Sequence, residues 1–379
     1  MSLFLFTIFS IYSAVHVYVF LKVKAAFPFG MGAGFLLGVF MAVMTFAPIL
    51  VRLLERHGYE YPARLTAYVG YSWMGIIFLF FCLSTVFDIY RLCISIAGFI
   101  SSRHLASLVP SAKITFLVPA SLALLTALYG YSDALNIREE KITIRSSKIS
   151  DTLGRLRIAQ ISDVHLGIIV REARLKKIIR VIRYANPDIL VSTGDLVDGQ
   201  IDSLTGLAET LQEIKPRYGK YAIIGNHEFY AGLPHALEIT KKAGFTMLRN
   251  EAVTSAGLIN IAGIDDPTGR YFGLSRGIPE DELLSRLPKN TFTLLLKHQP
   301  AINQKSLGLF DLQLSGHTHN GQIFPFRYMV RLFFSHLTGW YALPRGSHLY
   351  VSRGTGTWGP PMRVLSSPEV TVIDIIHGG

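Results

Sequence analysis

The stretch Tyr221-Ala222-Ile223-Ile224-Gly225-Asn226-His227-Glu228 decides how the second half of this chain is organised. Its first four residues are apolar and have the composition of a short buried strand. They run directly into an amide, an imidazole and a carboxylate. Polar side chains that follow a strand end lie in loops, where functional sites concentrate. We therefore predict that this loop forms one wall of a site.

The same half of the chain carries four further polar clusters in order, most of them after a β-branched apolar run. They are Asp163-Val164-His165, Gly194-Asp195, His298 and Gly316-His317-Thr318-His319. Asp, Asn and His side chains suit hard to borderline divalent metals, and their number here is enough for two ions. A single His pair is usually a surface or packing feature. Five clusters in this order, after strands, favour a two-metal site.

The spacing within these clusters adds to the metal interpretation. Asp163 and His165 are two residues apart, as are His317 and His319, so on a regular strand each pair would face one side. Gly194 beside Asp195 allows close approach to a cation. The carboxylate of Asp195 can bridge two ions, which an imidazole cannot do.

The first part of the chain has a different character. Four apolar runs are each about as long as the ~20 residues that a bilayer crossing needs. They are Met1–Leu21, Ala25–Val51, Leu65–Phe87 and Ile114–Ser132. We predict an α-helical membrane domain of four spans over residues 1–136. Residues 137–379 alternate strand-like and helix-like patterns before further strands, which predicts a mixed α/β domain of packed layers.

Charge and composition restrict the partners. Formal net charge is +11; residues 1–136 hold eight Lys/Arg and four Asp/Glu, or +4, which leaves +7 on the remainder. A basic polar half favours a polyanionic or anionic-membrane partner. Nucleic acid is not expected, because no basic helix or aromatic platform is evident. Cys82 and Cys93 both lie in the apolar half, so the polar half has no disulfide framework or thiolate metal site.

The distribution of Lys and Arg predicts an orientation in the membrane. With four crossings, one side holds Arg52, Arg56, Arg64, Arg138, Lys141, Arg145 and Lys148. The other holds Lys22, Lys24, Arg103 and Lys113, with Arg91 added if it clears the membrane. Positive residues concentrate on the cytoplasmic side, so this small excess favours a cytoplasmic location for the polar half.

Two further features allow more than one interpretation. Arg353 and Arg363 flank a Gly/Pro-rich loop, where they would bind a second phosphate or a headgroup, or else be solvated loop residues. The segment Phe324–Trp340 interleaves aromatic and aliphatic residues with Arg327 and Arg331. Such a mixture suits a membrane interface, but it also suits a lid packed on its own domain.

Taken together, the clusters resemble the calcineurin-like metallophosphoesterase superfamily over about residues 155–379. The family pattern is Asp-x-His, Gly-Asp-x-x-Asp, Gly-Asn-His-Glu/Asp, a lone His and Gly-His-x-His. It is matched by Asp163 to His165, Gly194 to Asp198, Gly225 to Glu228, His298, and Gly316 to His319. The segments 296–300 and 352–363 and the apolar start are similar to a bacterial membrane-linked branch, the YkuE-like and transmembrane metallophosphoesterases. One departure is Asn320, where the pattern has Gly.

The resemblance implies a four-layer α/β fold, in which helices flank two central β-sheets. It also implies two divalent metal ions, with Mn2+ as the leading expectation and Fe, Zn or Mg as alternatives. Asp163, His165, Asp195 and His319 would hold one ion, and Asp195, Asn226, His298 and His317 the other. His227 would be the general acid at the leaving oxygen, oriented by either Asp198 or Glu228.

The expected function is that of a metal-dependent phosphoric ester hydrolase in a bacterial inner membrane, with its catalytic domain in the cytoplasm. It would cleave a phosphodiester or pyrophosphate bond in a lipid headgroup or lipid intermediate. The alternative is the same hydrolase acting on a soluble nucleotide or phosphoprotein, with the helices as a tether. A third hypothesis, a transport or signalling module that only senses metal, is disfavoured by the intact set of ligands.

Overall fold

The computed structural model describes residues 2–198, 205–274 and 278–378. Contacts divide the chain into two compact units, one of residues 1–132 with 359–362 and the other of residues 133–358 with 363–379. The predicted domain boundary, between residues 136 and 137, falls in the short connection between the last apolar helix and the first strand.

The first unit consists of four long apolar helices. They are α1 (Ser2–Ala26), α2 (Met31–Arg56), α3 (Glu60–Ser101) and α4 (Ala112–Ala134). All four are long and apolar enough to cross a membrane, as the apolar runs predicted. Met1, which opened the first predicted run, lies outside the described residues. The predicted helical spans are thus confirmed by length and composition.

Helix α3 is longer than its apolar run predicted. Its 42 residues correspond to about 63 Å, roughly twice the ~30 Å hydrocarbon core of a bilayer. Residues beyond Phe87 continue the helix, and Asp88 is paired there with Lys22 and accepts a hydrogen bond from the Tyr18 hydroxyl at 2.6 Å. Asp88, which follows the third apolar run, therefore bonds to α1 of the same unit.

The second unit is built on two six-stranded sheets. The first has the order β1-β12-β2-β3-β4-β5, with β1 (Arg138–Ser146), β12 (Glu369–His377), β2 (Arg155–Ile161), β3 (Ile189–Ser192), β4 (Lys220–Ala222) and β5 (Thr246–Met247). The second has the order β10-β11-β9-β8-β7-β6, with β10 (Gly339–Ala342), β11 (His348–Val351), β9 (Leu312–Ser315), β8 (Phe292–Lys297), β7 (Ile259–Ile264) and β6 (Glu251–Ser255). Strands β2 to β5 are parallel in the first sheet, as are β7, β8, β9 and β11 in the second.

Alternating side chains pack the two sheets against each other. Ile158 and Val191 of the first sheet share a buried cluster with Leu294 and Leu296 of the second. Leu295, between the last two, points to the outer face, where it packs with a helix. This period of two is the expected consequence of strand geometry. The shared apolar face is the main core of the unit.

Helices pack on both sheets. Helix α5 (Glu172–Ala185) packs on β1 and β12 and helix α8 (Leu233–Lys242) on β5 of the first sheet, whereas α9 (Glu280–Ser285) packs on β7 of the second. The unit also contains the helices α6 (Thr205–Gln212), α7 (Asn226–Ala231) and α10 (Arg327–Arg331). Helix α5 buries Leu175, Ile178, Ile179 and Ile182, a spacing that places them on one helical face. Helix α9 buries Leu283 and Leu284 against the second sheet. The predicted four-layer α/β architecture is therefore confirmed.

Candidate metal centre

Every predicted ligand lies beyond the carboxyl end of a strand, either in the connection that follows it or, for Asn226 and His319, at the first residue of a short helix. In the first sheet, Asp163 and His165 follow β2, Asp195 follows β3, and Asn226 follows β4. In the second sheet, His298 follows β8, and His317 and His319 follow β9. In α/β sheets this edge is where ligands bind. The structure thus gathers side chains spread over more than 150 residues of sequence.

The backbone of these loops is held in an unusual conformation. Asp163, His165, Asp195, His317 and His319 have φ of 52°, 54°, 52°, 70° and 48°. The left-handed region costs a non-glycine residue about 1–2 kcal/mol. Neither two-apart pair lies on a regular strand, so the common facing that strand geometry would give does not apply to them. Such strain persists where surrounding structure enforces it, commonly at functional sites.

The first group of converging side chains is Asp163, His165 and His319. All three are buried, and their ligand atoms lie within 4.8 Å of one another. The two imidazoles face each other, with 3.1 Å between their Nε2 atoms. The Nε2 of His319 is also 3.3 Å from Oδ1 of Asp163.

The second group is Asp195, His298 and His317, again within 4.8 Å. Nε2 of His298 is 3.0 Å from Oδ2 of Asp195 and 3.2 Å from Nδ1 of His317. Oδ1 of Asn226 is 3.1 Å from the same His298 nitrogen. Because Oδ2 of Asp195 is also 3.9 Å from Nε2 of His165, Asp195 lies between the two groups.

This donor set fits divalent cations. Facing imidazole nitrogens at 3.1 and 3.2 Å converge in pairs as ligands of a shared ion do. Nδ1 of His165 is buried and has no hydrogen-bond partner among the described residues, although buried polar atoms are nearly always satisfied. Carboxylate, amide and imidazole donors together suit borderline to hard divalent ions.

The protonation states of the first group favour a cation. Burial opposes ionisation of Asp163, but its interactions with neighbouring histidines, His319 first, hold the carboxyl pKa well below its usual value. Burial lowers the pKa of His319 to about 4, so that imidazole is neutral at pH 7. An ionised carboxylate and a neutral imidazole are the forms that ligate metal.

The second group differs in one respect. Burial lowers the pKa of His317 to about 4. Burial also acts to lower the pKa of His298, but the adjacent Asp195 carboxylate outweighs it and raises that pKa well above its usual value. A cation in this group must therefore displace a proton from His298.

His227 lies beside both groups and is bound by Asp198. Its Nδ1 is 2.5 Å from Oδ1 of Asp198, and its ring has Tyr230 and Trp358 as edge-on neighbours, at centroid distances of 5.6 and 5.8 Å. Burial alone would lower the pKa of His227, but the charge of Asp198, aided by Asp195, raises it to about 9. The imidazole is therefore protonated at neutral pH, as an acid must be.

Glu228 has a different partner from the one that sequence reasoning considered. Its carboxylate accepts hydrogen bonds from the backbone N–H groups of Asp195, Leu196, Val197 and Gly225, at 3.0, 2.6, 3.1 and 2.8 Å. It thus fixes the loop that carries Asp195 to the loop that carries Asn226. Of the two candidates for orienting His227, the contact is made by Asp198.

Two glycines are required by close approach rather than by flexibility. A Cβ on Gly225 would lie 2.2 Å from Oδ1 of Asp195. A Cβ on Gly316 would lie 1.9 Å from Oγ of Ser162 and 2.2 Å from Oδ2 of Asp163. Contacts this short exclude any side chain, so both glycines let a ligand carboxylate reach its position.

Arg363 is placed in the interior. Its guanidinium is fully buried and donates to the carbonyl oxygens of Gly356, Arg353 and Ser366, at 2.6, 2.5 and 3.1 Å. One of its nitrogens is 3.1 Å from Nδ1 of His319. The geometry makes Arg363 a support for His319 and lends nothing to its expected role in binding a second phosphate.

Arg353 is also occupied by partners. One nitrogen of its guanidinium is 2.8 Å from Oε2 of Glu140 and 2.5 Å from Oε2 of the buried Glu369. Its charge is therefore paired within the first sheet. The expected phosphate contact of Arg353 has no support in this arrangement either.

Sequence reasoning missed Gln322 and Trp358. The Gln322 side chain donates to the carbonyl of Trp358 at 2.8 Å and accepts from its backbone N–H at 2.9 Å, which places the indole beside His227. No local pattern predicts this pairing across 36 residues. Asn320, where the family pattern has Gly, adopts φ 49°, a left-handed conformation that Asn tolerates better than most residues.

Comparison with known proteins gives consistent matches. A family model described as Calcineurin-like phosphoesterase matches residues 156–321. A protein of Aquifex aeolicus, described as an uncharacterized metallophosphoesterase, is 41% identical over 255 residues, which are 67% of this chain and 97% of that protein. A Danio rerio transmembrane protein with metallophosphoesterase domain is 33% identical, covering 65% of this chain and 59% of its own. YkuE of Bacillus subtilis, also described as an uncharacterized metallophosphoesterase, is 33% identical, covering 65% and 89%. The range matched by the family model contains all the loops from Asp163 to His319.

Proposed function

Because this chain belongs to the calcineurin-like metallophosphoesterase family, we propose that it is a membrane-anchored two-metal hydrolase that cleaves a phosphodiester or pyrophosphate bond in a lipid headgroup or lipid intermediate. Membership makes it a metal-binding hydrolase of phosphoric esters. The predicted resemblance is confirmed, including the branch that contains YkuE and the transmembrane relatives. The bond type, the lipid substrate and the number of ions are the proposed part.

The observation that carries the proposal is the convergence of six predicted ligands on two adjoining groups, with the seventh, Asn226, 3.1 Å from His298. Asp163, His165, Asp195 and His319 would hold one divalent ion, and Asp195, Asn226, His298 and His317 the other. Mn2+ is the first candidate, with Fe, Zn and Mg as alternatives. Ions bound there would supply Lewis-acid stabilisation of phosphoryl charge and a nucleophile near neutral pH.

His227 would act on the leaving group. Its Nδ1 bond to Asp198 leaves Nε2 to carry the proton that a leaving oxygen needs. Asp198 fixes the orientation of the ring and favours its protonated form. The rings of Tyr230 and Trp358 lie edge-on beside the buried imidazole. General acid catalysis by such a group is typically worth about 10²–10⁴-fold in rate.

Membrane attachment supports a lipid substrate. Helix α4 ends at Ala134 and β1 begins at Arg138, so three residues separate the last candidate span from the first strand. Three residues extend at most about 10 Å, so the start of β1 would lie near the headgroups if α4 crosses the bilayer. We propose a bacterial inner-membrane location with the catalytic unit in the cytoplasm, where anionic lipids attract a basic domain.

The test uses the full-length protein in nanodiscs, loaded with Mn2+. Turnover of a phospholipid and of a polyprenyl pyrophosphate is compared with that of nucleotides and a nitrophenyl phosphodiester. We expect the highest kcat/KM on one of the lipids and two metal ions per chain. A higher kcat/KM on a nucleotide than on any lipid would replace the lipid proposal by the soluble-substrate alternative.

A further inference from the structure

We infer that residues 324–333, here called the rim segment, form an interfacial membrane anchor that inserts Leu332 and Phe333 among anionic lipid headgroups beside the metal centre. The inference rests on the proposed lipid phosphoesterase function and deepens it. Through the rim segment, a lipid substrate would reach the metal ligands without leaving the bilayer.

The first observation is the edge at which the chain enters the catalytic unit. Strand β1 begins at Arg138, whose register partner on the parallel strand β12 is Glu369. Strand β12 runs antiparallel to β2, with Thr371 opposite Gln160. Glu369 precedes Thr371 by two residues on β12. Because the strands are antiparallel, Glu369 therefore lies beside the carboxyl end of β2, next to the loop that carries Asp163.

Hydrogen bonds through Thr355 also place Glu369 next to Ser162. The Thr355 hydroxyl donates to the carbonyl of Glu369 at 2.7 Å and accepts from the backbone N–H of Ser162 at 3.3 Å. Ser162 precedes the ligand Asp163. The start of β1, three residues after a candidate membrane span, thus lies at the edge of the sheet where the ligands are.

The connection itself is anchored to this edge. Asp133 is buried and accepts hydrogen bonds from the Ser367 hydroxyl at 2.9 Å and from the Arg138 guanidinium at 3.3 Å. Ser367 lies two residues before Glu369. Residues 133–138, which follow the last candidate span, are thus hydrogen-bonded to the ligand edge of the sheet.

The rim segment follows the loop of His317 and His319 at the same edge. Its continuation packs on the site: the ring of Phe334 is 5.0 Å from that of His317, and Leu337, which is buried, accepts a hydrogen bond from Thr318 at 2.5 Å. Of the two interpretations of Phe324–Trp340, the packed lid therefore describes its second part.

The first part is turned outward. Tyr328, Met329, Leu332 and Phe333 are exposed by 60%, 52%, 74% and 79%. Apolar side chains scattered singly on a surface need no explanation, but neighbouring ones mark an interaction surface. Arg327 and Arg331 lie among them on α10. Long basic side chains beside apolar ones suit the boundary between headgroups and acyl chains.

The bilayer is the occupant that these observations favour. The chain enters the unit at this edge directly after a candidate span, and the two arginines complement anionic phosphates. A soluble protein partner would explain the apolar residues but not their position at the tethered edge. Burial of the rim segment by a second copy of the chain would be distinguished from lipid contact by the quenching experiment.

The experiment measures contact between the rim segment and lipid, and it does not depend on catalytic turnover. In the full-length protein with Cys82 and Cys93 replaced by Ser, Phe333→Cys is labelled with an environment-sensitive fluorophore in nanodiscs that contain phosphatidylglycerol. Tyr184→Cys is the matched control: Tyr184 is 80% exposed and ends α5 beside Ala185, whose carbonyl accepts from Arg157 near the start of β2. It therefore lies at the opposite end of the sheet from the ligands.

We expect brominated lipids to quench the label at residue 333 at least threefold more than the label at residue 184. Equal quenching at both positions would overturn the inference. So would a label at 333 that is shielded from aqueous iodide but not quenched by lipid in a dimeric sample, because a second copy would then cover the segment.

If the chain without Cys82 and Cys93 does not fold, a second variant tests the anchor in the presence of both cysteines. Leu332→Glu with Phe333→Glu, in the otherwise native chain, should lower the ratio of lipid to soluble phosphodiester turnover at least tenfold, whereas Tyr184→Glu should not change it. An unchanged ratio would refute the anchor. Lipid quenching without any lipid hydrolysis would instead refute the proposed substrate and leave the anchor standing, so the two failures are distinguishable.

Discussion

At the level of single residues, two neighbouring carboxylates have been assigned separate tasks by geometry. Asp198 bonds to the imidazole of His227, whereas Glu228 bonds to four backbone N–H groups of the loops that carry Asp195 and Asn226. Asp198 would therefore act through the proposed acid His227, and Glu228 through the proposed metal ligands Asp195 and Asn226. Substitutions at these residues should separate the two effects.

Asp195→Asn should abolish activity and lower metal content, because Asp195 lies between both ligand groups. A neutral amide removes the charge that two cations would share. We expect kcat/KM to fall by more than about 100-fold, beyond the usual cost of losing an outer-shell partner. Metal per chain is measured by mass spectrometry, with the exposed Asp151→Asn as control. Near-normal turnover with two bound ions would rule out the bridging role.

His227→Ala should keep its metal content but slow hydrolysis by about 10²–10⁴-fold for esters with poor leaving groups. Good leaving groups need no proton, so their hydrolysis should fall much less. The measurement is kcat over a series of phosphodiesters that differ in leaving-group pKa. His227 also lies within ligand distance of His165 and Asp195. Loss of metal in this variant would therefore mean that it is a ligand and not the acid.

Glu228→Gln and Asp198→Asn should differ in metal binding. In Glu228→Gln, the new side-chain amide would face four N–H donors, of which its single oxygen can serve only some, and unsatisfied buried donors cost about 1–3 kcal/mol each. We expect metal affinity to fall about 10–100-fold for Glu228→Gln. Asp198→Asn should instead resemble His227→Ala, with metal affinity close to normal. Titration with Mn2+ compares the two, and equal loss of affinity would contradict the division of roles.

At the level of elements, the strand-to-loop turns carry the site because their backbones come very close together. Glycine at 225 and 316 leaves room for the carboxylates of Asp195 and Asp163. The strands supply the rigid frame, and the left-handed residues after them direct the ligands inward. Function at this site thus depends on loop geometry that a single methyl group would disturb.

Gly225→Ala should lower metal content and kcat/KM by at least about tenfold, the lower range for a disturbed support of a metal ligand. Its added Cβ would lie 2.2 Å from Oδ1 of Asp195, and either the carboxylate or the loop must move. Gly206→Ala, in helix α6, meets nothing within 4 Å and serves as control. Equal activity of both variants and the native chain would show that the loop can adapt.

For the molecule as a whole, the long helix α3 weakens the charge argument for orientation. If residues 65–87 cross the bilayer, Arg91 lies beyond it on the side of Lys22, Lys24, Arg103 and Lys113. The comparison is then seven Lys/Arg against five. Positive residues still favour a cytoplasmic catalytic unit, but by a small excess.

Protease added to intact spheroplasts should leave residues 150–379 uncut, since we expect this part to face the cytoplasm. Lysis should then expose it to cleavage, which shows that the sites are accessible in principle. The readout is fragment size on a blot against a tag placed at the carboxyl terminus. Cleavage within residues 150–379 before lysis would place the catalytic unit outside and reject the cytoplasmic proposal.

The amino-acid sequence alone predicts four apolar helices long enough to cross a membrane, most strands and the order of the metal motifs. These follow from hydrophobic periodicity and short local patterns, which do not depend on distant residues. Three other relations became visible only in the folded chain: Asp198 rather than Glu228 bonds to His227, Arg363 is buried against His319, and the connection from α4 enters the sheet at the ligand edge. Each of these relations joins residues far apart in sequence, so packing and strand order set them, and no local pattern encodes them.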